Sequence, residues 1–242
     1  MVIRMNDDRL KRISGEMGVE LTEEMLQNFS VYKEMLKEWN EKINITTITE
    51  DEEIDKKHFM DSLSPALTGL FDGEEKVIDV GTGGGFPGLP LKIRNRKLKV
   101  TLLDSLNKRI VFLGQVIERL GLREIEAVHG RAEELGLKAE YRESYDVCVS
   151  RAVASLDTLS EYCMPFVKVG GYFISMKGPE VDDEVLMSKK AIETLGGKVE
   201  EIKYVQIPES DIVHSLIVIR KIKNTPKKYP RAGGKPKKSP IR

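Results

Sequence analysis

The sequence predicts an α/β fold: a mostly parallel seven-stranded sheet that ends in an antiparallel hairpin, with a helical region in front of it. Three observations carry this. After Glu75, short apolar runs alternate with helical segments, as they do where strands are joined by helical crossovers. The last two runs are joined only by "PESDIV", too short for a crossover, so they should pair antiparallel. Before Glu75, apolar residues recur at three- and four-residue steps instead.

Taken in order, the first amphipathic helix runs from Leu21 to Ile43, with Leu21, Met25, Leu26, Phe29, Tyr32, Met35, Leu36, Trp39 and Ile43 on one face. Thr22 caps it, and Glu23 and Glu24 suit the positive end of its dipole. A second helix covers Glu52 to Leu67, and the turn Leu70–Gly73 closes the region. The strands are then "KVIDV", "KVTLLD", "EIEAV", "YDVCVS", "GGYFISM", "KVEEIKYVQI" and "HSLIVIRKI". Helices fall at Pro87–Arg94, Asn107–Leu120, Arg131–Leu135, Ser155–Val167 and Pro179–Leu195. No repeat is present. The expected division is a helical region over 1–73, an α/β domain over 74–222 and a basic, flexible tail over 223–242.

A chain of 242 residues, 40% hydrophobic, can bury an ordinary core. No apolar stretch approaches the roughly 20 residues of a membrane span, and the N-terminus has no signal-peptide core. Cys148 and Cys163 have no CxxC or histidine partners, so neither a metal site nor a disulfide is expected. A cytoplasmic protein with reduced thiols is the expectation. The zero net charge hides an asymmetry: Arg220–Arg242 holds ten basic residues and no acid, which leaves 29 basic against 39 acidic residues before it.

The stretch "VIDVGTGGGFPGLP" (Val77–Pro90) puts an acid in an apolar strand and follows it with a Gly-rich loop. Glycines after a first strand let the backbone turn and approach a ligand at the carboxyl edge of the sheet. Gly83, Gly85 and Gly88 fit GxGxxG, which would suit a dinucleotide pyrophosphate on a helix N-terminus. The fuller pattern, apolar–apolar–acid–apolar–Gly-x-Gly-x-Gly from Ile78 to Gly85, fits S-adenosylmethionine better, a ligand with an ammonium and a sulfonium but no phosphate. So do the terminal antiparallel hairpin and the resulting Rossmann-like class I methyltransferase fold. On this reading Asp79 helps hold the methionine ammonium, or else braces the loop. Gly81, Gly83 and Gly85 frame the cofactor. Asp104, ending "TLLD", accepts both ribose hydroxyls, or else caps the helix opening at Asn107. Ala132 and Glu133 of "AVHGRAEEL" fall where such folds meet the adenine edge, or on a solvated face.

Further stretches, "NITTI", "HFMDSL", "GTGGGFPGLPL", "LLDSLNKRIVFL", "SRAVASL" and "MKGP", resemble the bacterial 16S ribosomal RNA guanine-N7 methyltransferases, also called the glucose-inhibited division protein B family. The resemblance runs from about Leu21 to Ile219. It implies methyl transfer from S-adenosylmethionine to N7 of a guanine in the decoding-region hairpin of the small-subunit RNA. By motif it implies cofactor contacts at Gly81, Phe86, Ala132, Glu133 and Arg151, the last with an alternative as a salt bridge to Asp157. The tail beyond Tyr229 carries little family warrant.

Guanine N7 holds a lone pair, so the reaction needs alignment rather than a strong base. The sequence accordingly offers no catalytic dyad. His129 and His214 read as structural. His58, three residues from Asp61, is a candidate for the site wall, and Arg151, Lys177 and His58 are the candidates for assisting transfer. Lys177 of "MKGP" is expected on an RNA phosphate, and the tail lysines Lys227, Lys228, Lys235, Lys237 and Lys238 with Arg231 are expected to draw RNA to an acidic body. Tyr229 is expected to stack on a base. The tail's Pro and Gly content predicts flexibility, and its removal should spare the core. The expected partner is 16S ribosomal RNA or a small-subunit particle, with no membrane. A monomer is expected, though no residue pattern fixes the oligomeric state. The alternatives are a methyltransferase for another RNA, a small molecule or a protein, and, from other classes, an NAD-dependent oxidoreductase or an inactive RNA-binding module.

Overall fold

The computed structural model describes residues 5–151 and 154–242; Ala152 and Val153 of "SRAVASL" lie outside the described residues. Helix α1 (Met5–Glu16) is not among the helices the sequence predicts; Leu10 and Ile13 form its buried face. Helix α2 (Glu23–Ile43) starts where Thr22 accepts the amide hydrogen of Met25, as the sequence predicts. The expected second helix is a chain of short turns: α3 (Asp51–Ile54), a π-helical turn (Asp55–Met60), α4 (Asp61–Leu63) and a 3-10 turn (Ser64–Thr68).

All seven predicted strands form: β1 (Lys76–Val80), β2 (Lys99–Asp104), β3 (Ile125–His129), β4 (Tyr145–Arg151), β5 (Val167–Lys177), β6 (Gly197–Gln206) and β7 (Val213–Lys221). The order is β3-β2-β1-β4-β5-β7-β6. The first five run parallel; β7 inserts antiparallel between β5 and β6. Crossover helices are α5 (Gly88–Arg94), α6 (Asn107–Arg119), α7 (Ala132–Leu135), α8 (Leu156–Cys163) and α9 (Asp182–Thr194), with a short α10 (Lys235–Lys238) near the C-terminus. Among the described residues no helix is long and apolar enough to cross a membrane.

The period-two alternation of the strands splits the core into two layers. Val77, Val100, Leu102, Val147 and Val149 share one core with α1, α2, α5 and α6. Ile78, Val80, Leu103, Cys148 and Phe173 face α8 and α9. The N-terminal helices therefore join the core on one side of the sheet, where α2 packs on α5 and α6. The chain order reverses between β1 and β4, and at that point the two diverging crossovers leave a crevice at the carboxyl edge.

The C-terminal segment is not the loose tail the sequence predicts. Thr225, Tyr229 and Pro236 are buried. Arg231 donates to both oxygens of Glu161, a fully buried acid on α8, at 2.9 and 2.6 Å. Arg142 donates to the carbonyls of Thr225 and Tyr229. Lys221, fully buried and lowered to about 8 mainly by desolvation, donates to Thr225 and to the carbonyls of Met164 and Val167. Proline and glycine rule out a long helix here, but they do not prevent an extended strap from docking through its few anchors.

Candidate functional site

A cavity of about 370 Å3 opens at the crevice. The sheet contributes Gly81, Gly83, Asp104 and Arg151 to its wall; the N-terminal region contributes Ile45, Thr46 and His58. Each sheet residue stands at or just past the end of a strand, which is why residues 70 positions apart in sequence meet.

The loop between β1 and α5 is held from below. Asp79 is fully buried and does not line the cavity; its Oδ2 accepts the Thr82 hydroxyl at 2.6 Å and the Gly88 amide at 2.8 Å. It braces the loop through Oδ2, and its Oδ1 is buried without a hydrogen-bond partner. Desolvation pushes its carboxyl up to about 6, against the pull of Thr82 and Gly88. Gly88 allows this closeness: a Cβ there would stand 3.0 Å from Asp79 Cβ and 2.4 Å from Leu102. Gly83, at φ +61°, turns the opposite way, and the nearest atom to a Cβ there is 4.0 Å off. Its amide donates to Asp104 Oδ2 at 2.9 Å. Gly85 packs inward against Tyr32 and Leu89.

Five amides of this loop are spent within the chain. Gly81 and Thr82 donate to Leu103, Gly83 to Asp104, and Gly85 and Phe86 to Thr82. A pyrophosphate needs such amides free. A phosphate-free ligand does not, so the loop fits S-adenosylmethionine and not a dinucleotide. Asp104 accepts from Gly83, from Leu106 at 2.9 Å and from Arg109 at 3.2 Å. A carboxylate offers about four lone-pair positions. One is left for a ribose hydroxyl, and a second opens if the partly exposed Arg109 swings away.

Aromatic packing fixes the roof. Tyr32 of α2 donates to the Gly84 carbonyl and stacks on Phe86 at 5.5 Å. His58 lies flat on Phe86, 4.5 Å away at 10°. Arg151 places its guanidinium 5.0 Å from the same ring. Arg151 also donates to Asp61 at 2.7 Å, to the Lys57 carbonyl at 3.0 Å and toward His58 Nδ1 at 3.3 Å. A guanidinium only donates, so His58 Nδ1 is the acceptor and its proton sits on Nε2, facing Thr46 Oγ1 at 2.8 Å. Desolvation, then Arg151, lowers His58 to about 4, so the ring is neutral at pH 7.

The structure thus brings together Gly81, Gly83, Phe86, Asp104, Arg151 and His58. Among the described residues, Asp79, Gly85, Ala132 and Glu133 are not in the lining of this cavity; Glu133 is buried, 3.7 Å from Arg131. Arg151 pairs with Asp61 and not with Asp157, whose carboxylate instead accepts from Ser155 and the Thr158 amide. Lys177 is held by Glu184 at 2.8 Å and the Ala154 carbonyl at 2.5 Å, so it is not a free phosphate hook. Tyr229 is buried beneath Arg231 and Lys228 and cannot stack on a base. Sequence reasoning missed Thr46, Arg109 and His214. The first two stand inside motifs already singled out, "NITTI" and "LLDSLNKRIVFL". His214 gave no local signal, because only the antiparallel entry of β7 brings its first residues to the carboxyl edge.

A family model described as rRNA small subunit methyltransferase G matches residues 25–213. The chain belongs to that family. A curated "Ribosomal RNA small subunit methyltransferase G" of Alkaliphilus metalliredigens is 56% identical, covering 96% of this chain and 98% of its own. Its counterpart from Clostridium novyi is 50% identical over 97% and 96%. Among solved structures, an S-adenosylmethionine-dependent methyltransferase from Aquifex aeolicus superposes with TM-score 0.52 at 18% identity, covering 73% of this chain and 96% of its own. That likeness is one of fold. The rRNA small subunit methyltransferase G match begins within α2 and so includes the helical roof with Tyr32 and His58 along with the sheet.

Proposed function

We propose that the protein transfers the methyl group of S-adenosylmethionine to N7 of a guanine in the decoding-region hairpin of 16S ribosomal RNA. The observation that carries this reading is a pair of adjoining cavities. The first, at Asp104 and Gly83, fits the cofactor. The second, about 350 Å3, shares the wall formed by His58 and Arg151 and opens toward Lys177 and His214. When bound, the cofactor supplies an electrophilic methyl group. Asp104 and the loop from Gly81 to Phe86 would hold it. Phe86, clamped between Tyr32, His58 and Arg151, fixes the boundary between donor and acceptor. The chain's own task is to align N7 with that methyl and to exclude water. Neutral His58 suits a wall beside a cationic group, since it adds no positive charge.

The RNA would be met by a basic surface on the docked strap. Its path runs from Thr225, at the end of α9, along α8 to Pro236, whose carbonyl accepts from Thr158 in the first turn of α8. Lys235, Lys237 and Lys238 are exposed there, near the carboxyl edge; Lys227 and Lys228 are exposed at the opposite end, and Arg231 is committed to Glu161. The reading includes a cytoplasmic protein that acts as a monomer on the RNA or on small-subunit particles. The test is incubation with undermethylated small subunits and labelled cofactor, followed by mapping of the modified base. Label at a guanine N7 is expected; transfer to another atom, or none, overturns the reading.

A further inference from the structure

His214 and Asp61 form a hydrogen-bonded pair on the wall of the second cavity, and the alignment described above makes no use of it. Asp61 is 1% exposed and gives its other oxygen to Arg151. Burial pushes its carboxyl up, but His214 and Arg151 outweigh that and hold it below the usual range. An ionised carboxylate only accepts, so His214 Nδ1 carries a hydrogen. In the neutral ring the lone pair is then on Nε2. Nε2 has no hydrogen-bond partner among the described residues, and the side chain is 29% exposed.

The polar balance of this cavity is lopsided. Arg151, Lys57 and Lys177 can only donate. Each oxygen of Asp61 already takes one hydrogen bond and the residue is 1% exposed, and the Gly178 carbonyl already takes the Ser215 hydroxyl. Among the described residues of this wall, His214 Nε2 is the solvent-reachable side-chain acceptor without a partner. Guanine has the matching pattern: acceptors O6 and N7 along one edge, and N1–H and the N2 amino group along another. Adenine reverses it, with an amino group at position 6 and a bare lone pair at N1.

We infer that His214, oriented by Asp61, accepts the N1–H hydrogen bond of the target guanine and thereby selects guanine over adenine. The inference rests on the proposed function and adds its base-reading residue. As the bond from N7 to the methyl carbon forms, the carbon–sulfur bond breaks and its electron pair stays on sulfur. The purine ring takes up the positive charge, N1–H becomes more acidic, and its bond to Nε2 strengthens toward the transition state. No proton has to leave; if the N1 proton moves to Nε2, Asp61 balances the imidazolium.

The test compares wild type, His214→Ala and His214→Gln on small-subunit RNA assembled with either guanosine or 1-methylguanosine at the target. Loss of a hydrogen bond that gains charge should lower kcat for His214→Ala about ten- to hundredfold on guanosine. His214→Gln, whose amide oxygen can accept the same hydrogen, should retain more. Blocking N1 should cost wild type a similar factor and His214→Ala little. S-adenosylhomocysteine affinity should stay unchanged in both variants, which also reports that they fold. Equal penalties for N1 blocking in wild type and His214→Ala, or an unchanged kcat, overturn the inference. Absence of transfer by wild type overturns the functional reading instead.

Discussion

Asp104 shows how one side chain serves three structural donors and still faces the cavity. Asp104→Ala should weaken S-adenosylhomocysteine binding at least about tenfold, since charge-assisted bonds are worth roughly 1.5–3 kcal/mol each. Unchanged affinity in calorimetry would leave Asp104 as a brace for the loop alone. Asp104→Asn keeps an acceptor for the Leu106 amide and separates that brace from the ligand contact. His58 carries a pH signature. Its folded-state value, about 4, lies below the ordinary 6.5, so its stabilising contribution is full above pH 6.5 and is lost as pH falls toward 4. A shift of this size is worth about 3 kcal/mol. Asp79, raised to about 6, works the other way: it favours the folded state below pH 3.8 and loses that contribution as pH rises through 6. The two offset each other in wild type between pH 4 and 6. His58→Gln should therefore gain stability relative to wild type on acidification through that window, measured by urea titration. Parallel curves for the two proteins would show that the ring is not held neutral.

At the scale of elements, the decisive joint is between α2 and the π-helical turn that carries His58. Lys33 on α2 reaches Asp55 on that turn at 2.5 Å, with Asp55 fully buried. Burial raises the Asp55 carboxyl in spite of Lys33. Removing one partner of a buried ion pair leaves a bare charge and costs about 3–5 kcal/mol. Lys33→Met should lose stability on that scale in chemical denaturation, and Lys33→Met with Asp55→Leu should recover much of it. A loss within 0.5 kcal/mol would mean that water or Arg9 satisfies Asp55 as well as Lys33 does. The amphipathic pattern of α2 was legible because one face repeats over its whole length. The broken second helix was not, because a π-helical turn changes the residue spacing without changing the residue types.

For the whole molecule, the strap overturns the expectation that the C-terminus can be removed harmlessly. Deleting 224–242 strips Arg231 from buried Glu161 and Thr225 from Lys221, so the truncated chain should unfold at lower denaturant than the full one. The RNA contribution is better read from Lys235→Gln, Lys237→Gln and Lys238→Gln together. The salt slope of RNA binding should fall by about 0.7–0.9 per lost phosphate contact, with folding intact. The same slope as wild type would show that this end of the strap does not touch RNA. The sequence by itself determined the seven strands, their parallel run and closing hairpin, the glycine loop and the acid ending β2, because each is a local pattern of periodicity, chain length or backbone freedom. The tertiary structure alone decided that Asp79 braces the loop while Asp104 lines the cavity, that Arg151 answers Asp61, that His214 reaches the wall of the second cavity and that a basic tail is a strap. Each of these depends on which groups the folded sheet brings within hydrogen-bond reach. Reach across 90 or 153 residues of chain is set by strand order and direction, which leave no local trace in the residues themselves.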